Sequence, residues 1–295
     1  MMNFTLANFY DGFYINDLFL NMIAHNQDIL RAPIAFNQIA GSMPFNSWAG
    51  GMNSCLFGNI ALYNDIEQCF KVNHKSLRLD FSSIVLDNVD FYNNYNRLML
   101  EHGANGATVI EIANLQLYEY IKSNYPTYNK FVLAPSAWLS MEITPEILDT
   151  ILSNPDFILA SLPQGYATEE YVSQVKAKNK LEVTVNPICR YDCKNAKNCL
   201  LGEQQYQYEF SGQSNICACP WTYSYMNNPQ TVAISNLDKY KKMGINHFRL
   251  STTIPDKMVE YFIFLVKYFI KEEKQQELIE YGMLAITANM SGGSL

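Results

Sequence analysis

"KFVLAPSAWLSMEITPEILDTILSNPDFILASLP" (residues 130–163) holds a strand, a helix and a second strand in succession. "KFVLAPS" and "DFILASLP" are short apolar runs of strand length. Between them, "TPEILDTILSN" carries the marks of a helix start, with Thr144 at the N-cap and Pro145 at the first helical position. A strand, a crossover helix and another strand imply a parallel pair joined by a right-handed connection.

The same unit recurs outward in both directions. Upstream, "ATVIEIAN" is a strand and "LQLYEYIKSNYP" a helix. Before these, "NFTLANF", "APIAFNQI" and "SLRLDFS" read as the first three strands. "INDLFLNMIAHNQDIL" follows the first as a helix, with Leu18, Met22 and Ile29 at helical spacing, and "DFYNNYNRLMLEHG" is helical up to a C-cap at Gly103. Downstream come the helix "TEEYVSQVKAKN", the strand "LEVTVN", the helix "ISNLDKYKKMGI" and the strand "HFRLSTT". One long amphipathic helix, "DKMVEYFIFLVKYFIKEEKQQELIEYG", closes the series. Eight strand–helix units in a chain of 295 residues predict a (β/α)8 TIM-type barrel. The alternative is a doubly wound open sheet. No linker or composition break divides the chain, so residues 1–295 are expected to form a single domain.

Composition narrows the function classes. Hydrophobic residues make up 48% of the chain, which excludes a disordered protein. The net charge of −7 argues against a broad nucleic-acid surface. The opening stretch "MMNFTLANFYDGF" has no basic region and no small-residue cleavage site, so no signal peptide is expected, and Lys267 interrupts the longest apolar run, residues 261–270, which is too short to span a bilayer. The expected location is therefore cytoplasmic, where clustered thiols serve metals or catalysis more often than disulfides.

Such a cluster exists. "NPICRYDCKNAKNC" (residues 186–199) holds Cys189, Cys193 and Cys199, and "CAC" adds Cys217 and Cys219. Five of the seven cysteines thus lie in a loop at 186–221, after the seventh strand. Barrel active sites form at the C-terminal ends of the strands, so this loop belongs to the catalytic face. Thiolates are soft ligands for zinc or for an iron–sulfur cluster. The uneven spacing lacks a repeated C-x2-C zinc knuckle and leans toward a 4Fe–4S cluster on Cys189, Cys193, Cys199 and Cys217, with Cys219 the alternative to Cys217. A structural zinc clip remains the competing assignment. Cys55 and Cys69 stand alone and read as ordinary residues.

Other strand-end residues are Asn8, Tyr10, Asp11, Gln38, Asp80, Ser82, Glu111, Asn114, Ser136, Trp138, Ser161, Asn186, Arg249 and Ser251. Among them Asp80 and Glu111 are candidate general acids or bases, and Arg249 a candidate anion-binding group. The bland roles are helix capping and mutual ion pairing. His247 opens the eighth strand at its N-terminal end, which is the stability face. No G-x-S-x-G, H-E-x-x-H or phosphate-binding glycine motif occurs.

"VNPICRYDC", the later Cys199 and Cys217, and "LDKYKKMGINHFRLS" together resemble the collagenase-like proteins of peptidase family U thirty-two (U32). Members carry an N-x2-C-x3-C segment, which Cys189 and Cys193 match, and a closing "GI…FR/K" strand. The resemblance is best from Val183 to Ser251. It implies a (β/α) barrel, a 4Fe–4S cluster on four cysteines in several branches, and peptidase or oxygen-independent hydroxylase chemistry. The chain departs from the pattern in its closing strand, Arg249-Leu-Ser-Thr, and in its acidic balance. The expected ligand is a small molecule, nucleotide or peptide. A competing expectation makes the chain a non-catalytic partner subunit or homo-oligomer, using aromatic residues of the last helix.

Overall fold

A computed structural model describes residues 1–7, 13–42, 68–72, 74–81, 101, 108–187, 226, 228, 230–250 and 257–290. Eight strands form a closed barrel in sequence order. They are β1 (Met2–Ala7), β2 (Ile34–Ser42), β3 (Ser76–Phe81), β4 (Val109–Ile112), β5 (Phe131–Leu133), β6 (Phe157–Leu162), β7 (Leu181–Thr184) and β8 (His247–Arg249). Every neighbouring pair is parallel. β8 returns to β1 with Asn3 beside His247 and Thr5 beside Arg249. The open sheet is excluded by that closure.

Helices pack outside the strands: α1 (Phe13–Ala24), α2 (Leu115–Asn124), α3 (Ala137–Ser140), α4 (Pro145–Ser153), α5 (Glu169–Gln174), α6 (Asp238–Lys242), α7 (Met258–Phe269) and α8 (Glu272–Met290). The sequence signals for α4 act as expected. Thr144 accepts a hydrogen bond from the Ile147 amide, and Pro145 opens the first turn. Thr168 caps α5 in the same way. That helix is shorter than the twelve residues its sequence suggests, because Asp149 of α4 accepts the backbone N–H groups of Lys176 and Ala177 and draws them out of a helical ladder.

The closing helix is two helices. Ile270 is extended and forms an antiparallel bridge with Leu30. The flanking backbone is tied on both sides, by Arg31 N–H to the Phe269 carbonyl and Lys271 N–H to the Ile29 carbonyl, each 2.8 Å. The apolar stretch stays on the barrel wall as α7, burying Tyr261, Phe262, Leu265, Val266 and Phe269. The charged stretch begins a new helix, with Glu272 and Glu273 in its positive first turn. Gly282, placed at a helix end by its sequence, lies in the middle of α8. A β-carbon there would come within 2.0 Å of the Phe262 ring, so glycine is what allows α7 and α8 to approach.

The apolar core has two parts. The larger lies between strands and helices and includes an aromatic group in which Phe269 meets Phe4 and Phe36 edge to face. A separate small cluster joins Val109 of β4, Val132 of β5 and Leu159 of β6. Val132 and Leu159 are register partners, and successive side chains of a strand face opposite sides. These three residues therefore fill one side of the barrel lumen. The other side is charged.

Candidate active site in the barrel lumen

In a closed eight-stranded barrel, β3 faces β7 and β4 faces β8. Side chains from opposed strands meet only by crossing the lumen. Among the described residues two ion pairs do so. Arg78 of β3 reaches Glu182 of β7, with Nη1 2.6 Å from Oε2 and Nη2 2.9 Å from Oε1. Arg249 of β8 donates from Nη1 to Oε1 of Glu111 of β4. A longer contact of 3.5 Å, from Arg78 Nη1 to Glu111 Oε2, links the two pairs. Two cations and two carboxylates among the described residues are thus linked in one group.

Polar neighbours complete it. Gln38 Oε1 accepts from Arg78 Nε at 2.9 Å and from Nη2 at 2.6 Å. Thr5 Oγ1 donates to Glu182 Oε1 at 2.9 Å, and the Ser161 hydroxyl donates to Glu182 Oε2. Glu182 therefore receives at least four donors, from β1, β3 and β6. Arg78, Glu111 and Glu182 are sealed from solvent, whereas the Arg249 side chain keeps 9% of its surface. Burial pushes the Glu182 carboxyl up. The charge of Arg78, its hydrogen bonds, the charge of Arg249 and the Ser161 hydroxyl together outweigh burial and hold it at about 2. His247, half-buried beside Glu182 in the strand register, is pushed down by burial, against the opposing pull of Glu182.

The strand-end candidates separate on this geometry. Glu111 and Arg249 come together, and each is the other's ion-pair partner. Gln38 and Ser161 lie within their strands and serve the network. Asp80 is the register neighbour of Glu111 and Ser42; its side chain lies outside the described residues. Asn114 caps α2 by accepting from the Gln116 amide at 2.8 Å. Trp138 is buried and packs against the Tyr166 ring. Asn186 and Ser136 are buried. Asn8, Tyr10, Asp11, Ser82 and Ser251 lie outside the described residues, as do Cys189, Cys193, Cys199, Cys217 and Cys219. Of the two lone cysteines, Cys69 hydrogen-bonds Asp17 at 3.3 Å, beside α1. Among the described residues no three His, Cys, Asp or Glu side chains gather to hold a metal ion.

Arg78, Glu182 and Thr5 are absent from the sequence-derived candidates. A signal for the first two exists. "LRLDF" and "LEVT" are strands of a sheet covered on both faces, where a charged residue between apolar neighbours must find a buried partner.

The cysteine-bearing segment is anchored at the mouth on both sides. It leaves after β7, and Val185 N–H donates to the Arg249 carbonyl at 2.9 Å. It returns where the Asn228 and Gln230 side chains donate to the Pro187 carbonyl at 3.0 and 3.3 Å, and Val232 N–H to the Val185 carbonyl at 2.7 Å. Its base therefore adjoins the backbone of Arg249.

No protein-family model matches the chain, and no curated protein matches it. Among solved structures, the U32 peptidase Mk0906 is similar in fold. It superposes with a TM-score of 0.50 at 12% identity, over 86% of this chain and 94% of that one. At that identity the likeness concerns the barrel, in agreement with the U32-type fold expected from the cysteine segment and closing strand. No described helix is long and apolar enough to cross a membrane.

Proposed function

We propose that this chain is a single-domain, cytoplasmic metal-binding barrel enzyme. Its cofactor is a 4Fe–4S cluster held by Cys189, Cys193, Cys199 and Cys217, with Cys219 the alternative to Cys217. Its ligand-facing groups are Glu111 and Arg249, with Asp80 beside them. The observation that carries the reading is the anchoring of the residues that flank the cysteine segment, at Pro187 and Val185, next to Arg249, the member of the described lumen quartet with an opening to solvent. The donor set fits the group, because four unevenly spaced thiolates suit an iron–sulfur cluster. When bound, the cluster supplies one-electron chemistry, as in oxygen-independent hydroxylation or a related modification. The chain's own residues orient the ligand: Arg249 offers a planar cationic fork, and Glu111 stands behind it, between Arg249 and the sealed Arg78–Glu182 pair. The substrate is a small molecule, nucleotide or peptide.

The second reading is a structural zinc on the same thiolates, with hydrolase or peptidase chemistry on the carboxylates. The name of the fold neighbour, a peptidase, favours testing peptides first. Iron, zinc and acid-labile sulfide are to be measured on protein purified without oxygen. The first reading expects brown protein with about four iron and four sulfide per chain. Zinc near one equivalent without sulfide selects the second reading. Colourless protein that takes up neither metal on anaerobic reconstitution overturns both. A third reading, a non-catalytic subunit, draws on the exposed Tyr281 and Leu284 of α8 and is excluded by activity of the isolated monomer.

A further inference from the structure

We propose that Glu111 is an exchangeable carboxylate. It holds Arg249 in the free protein and passes to Arg78 when an oxyanion of the ligand reaches Arg249 at the barrel mouth. The inference rests on the reading of Glu111 and Arg249 as ligand-facing groups and extends it to a substrate class.

Three observations carry it. Arg249 is the last residue of β8 and is the partly open member of a set whose other three charges are sealed. An entering anion therefore meets Arg249 first. Next, the Glu111 carboxylate is already divided between two cations: Oε1 is on Arg249, while Oε2 lies 3.5 Å from Arg78 Nη1. That second contact is longer than a formed charge-assisted bond of about 2.8 Å, so there is slack for the carboxylate to close. Finally, Arg78 is pinned by Glu182, Gln38 and Thr5. It is a fixed landing point, and Glu111 is the part that moves.

The exchange solves a charge problem. An anion that took Arg249 from Glu111 would weaken the pairing of a buried carboxylate, which is unfavourable. With Arg78 adjacent, every anion keeps a guanidinium. The planar fork of Arg249 suits carboxylate or phosphate oxygens.

The test is an NMR titration of the whole chain, following arginine side-chain Nε–H signals assigned through R78K and R249K. Acetate is the first probe and inorganic phosphate the second. The expected result is a saturable acetate shift of the Arg249 signal, with the sealed Arg78 signal moving at the same midpoint. E111Q is expected to bind acetate about tenfold more tightly, within the usual range of coupled sites, and to lose the Arg78 response. The charge-neutral double variant R78M/E182M removes the landing point and is expected to bind acetate about tenfold more weakly. Thermal unfolding of each variant confirms that it is folded, and if E111Q is not, the wild-type co-titration decides alone. Tighter binding of phosphate than acetate names phosphate as the oxyanion and supports the exchange. Movement of Arg249 without Arg78, or of neither, overturns it. Metal content is not read in this experiment, so its failure is distinct from failure of the cluster assignment.

Discussion

Arg78 and Glu182 span the barrel lumen, with two hydrogen bonds of 2.6 and 2.9 Å between a guanidinium and a carboxylate that are both shut off from water. A pair in such a place is costly to desolvate, and it persists because its remaining donors and acceptors are met by Gln38, Thr5 and Ser161. Arg78→Met alone leaves Glu182 charged and buried. It should lower unfolding free energy by about 3–5 kcal/mol, whereas R78M/E182M should lose far less than the sum of the singles. Urea unfolding of the four proteins of this cycle measures the coupling. Additive losses would show that the pair is not the unit described.

Glu182 also sets an acid limit. Its carboxyl is held at about 2 against an ordinary 4.5, so its folded value is depressed. A depressed carboxylate contributes stability that is present above its unfolded value and is lost as pH falls toward its folded one. The window runs from about pH 5 down to about pH 2. The full contribution is about 3 kcal/mol, of which about 2 kcal/mol should be gone by pH 3. E182Q removes that titration. Its unfolding free energy should start lower at pH 7 and fall less steeply between pH 5 and pH 3. Equal slopes in both proteins would contradict the account.

The barrel was legible because strand and helix periods alternate plainly from residue 107 to 253, and caps such as Thr144 mark the joins. Half the lumen was not. Glu111 and Arg249 stand close to strand ends and were accessible to a search of that face. Arg78 and Glu182 sit inside strands whose partners lie four strands away, and no local pattern names a contact across a closed barrel. The place of Gly282 was illegible for a related reason. A glycine in a helical pattern signals an end when only local backbone is considered, but the cause here is the Phe262 ring on another helix.

That cause gives a prediction of sign. At an exposed helical site Gly→Ala stabilises by about 1 kcal/mol. Gly282→Ala should instead destabilise, by about 2 kcal/mol, because its methyl must displace a fully buried ring. Denaturant unfolding reads the sign directly. A stabilised G282A would show that α7 and α8 separate freely.

The cysteines should divide into two groups. Cys69 donates to Asp17 away from the barrel mouth, so Cys69→Ser should keep a hydrogen bond and change neither metal content nor colour. Cys193→Ser, by contrast, removes one thiolate from the proposed set of four and should abolish the cluster's visible absorption or reduce bound iron sharply. Parallel substitution of Cys217 and Cys219 decides the last ligand: the one whose loss matches Cys193→Ser belongs to the set, and the other should behave like Cys69. Iron and sulfide counts on the four proteins, purified together without oxygen, make the comparison. Equal metal content in Cys193→Ser and Cys69→Ser would remove the thiolate cluster from the account of this barrel.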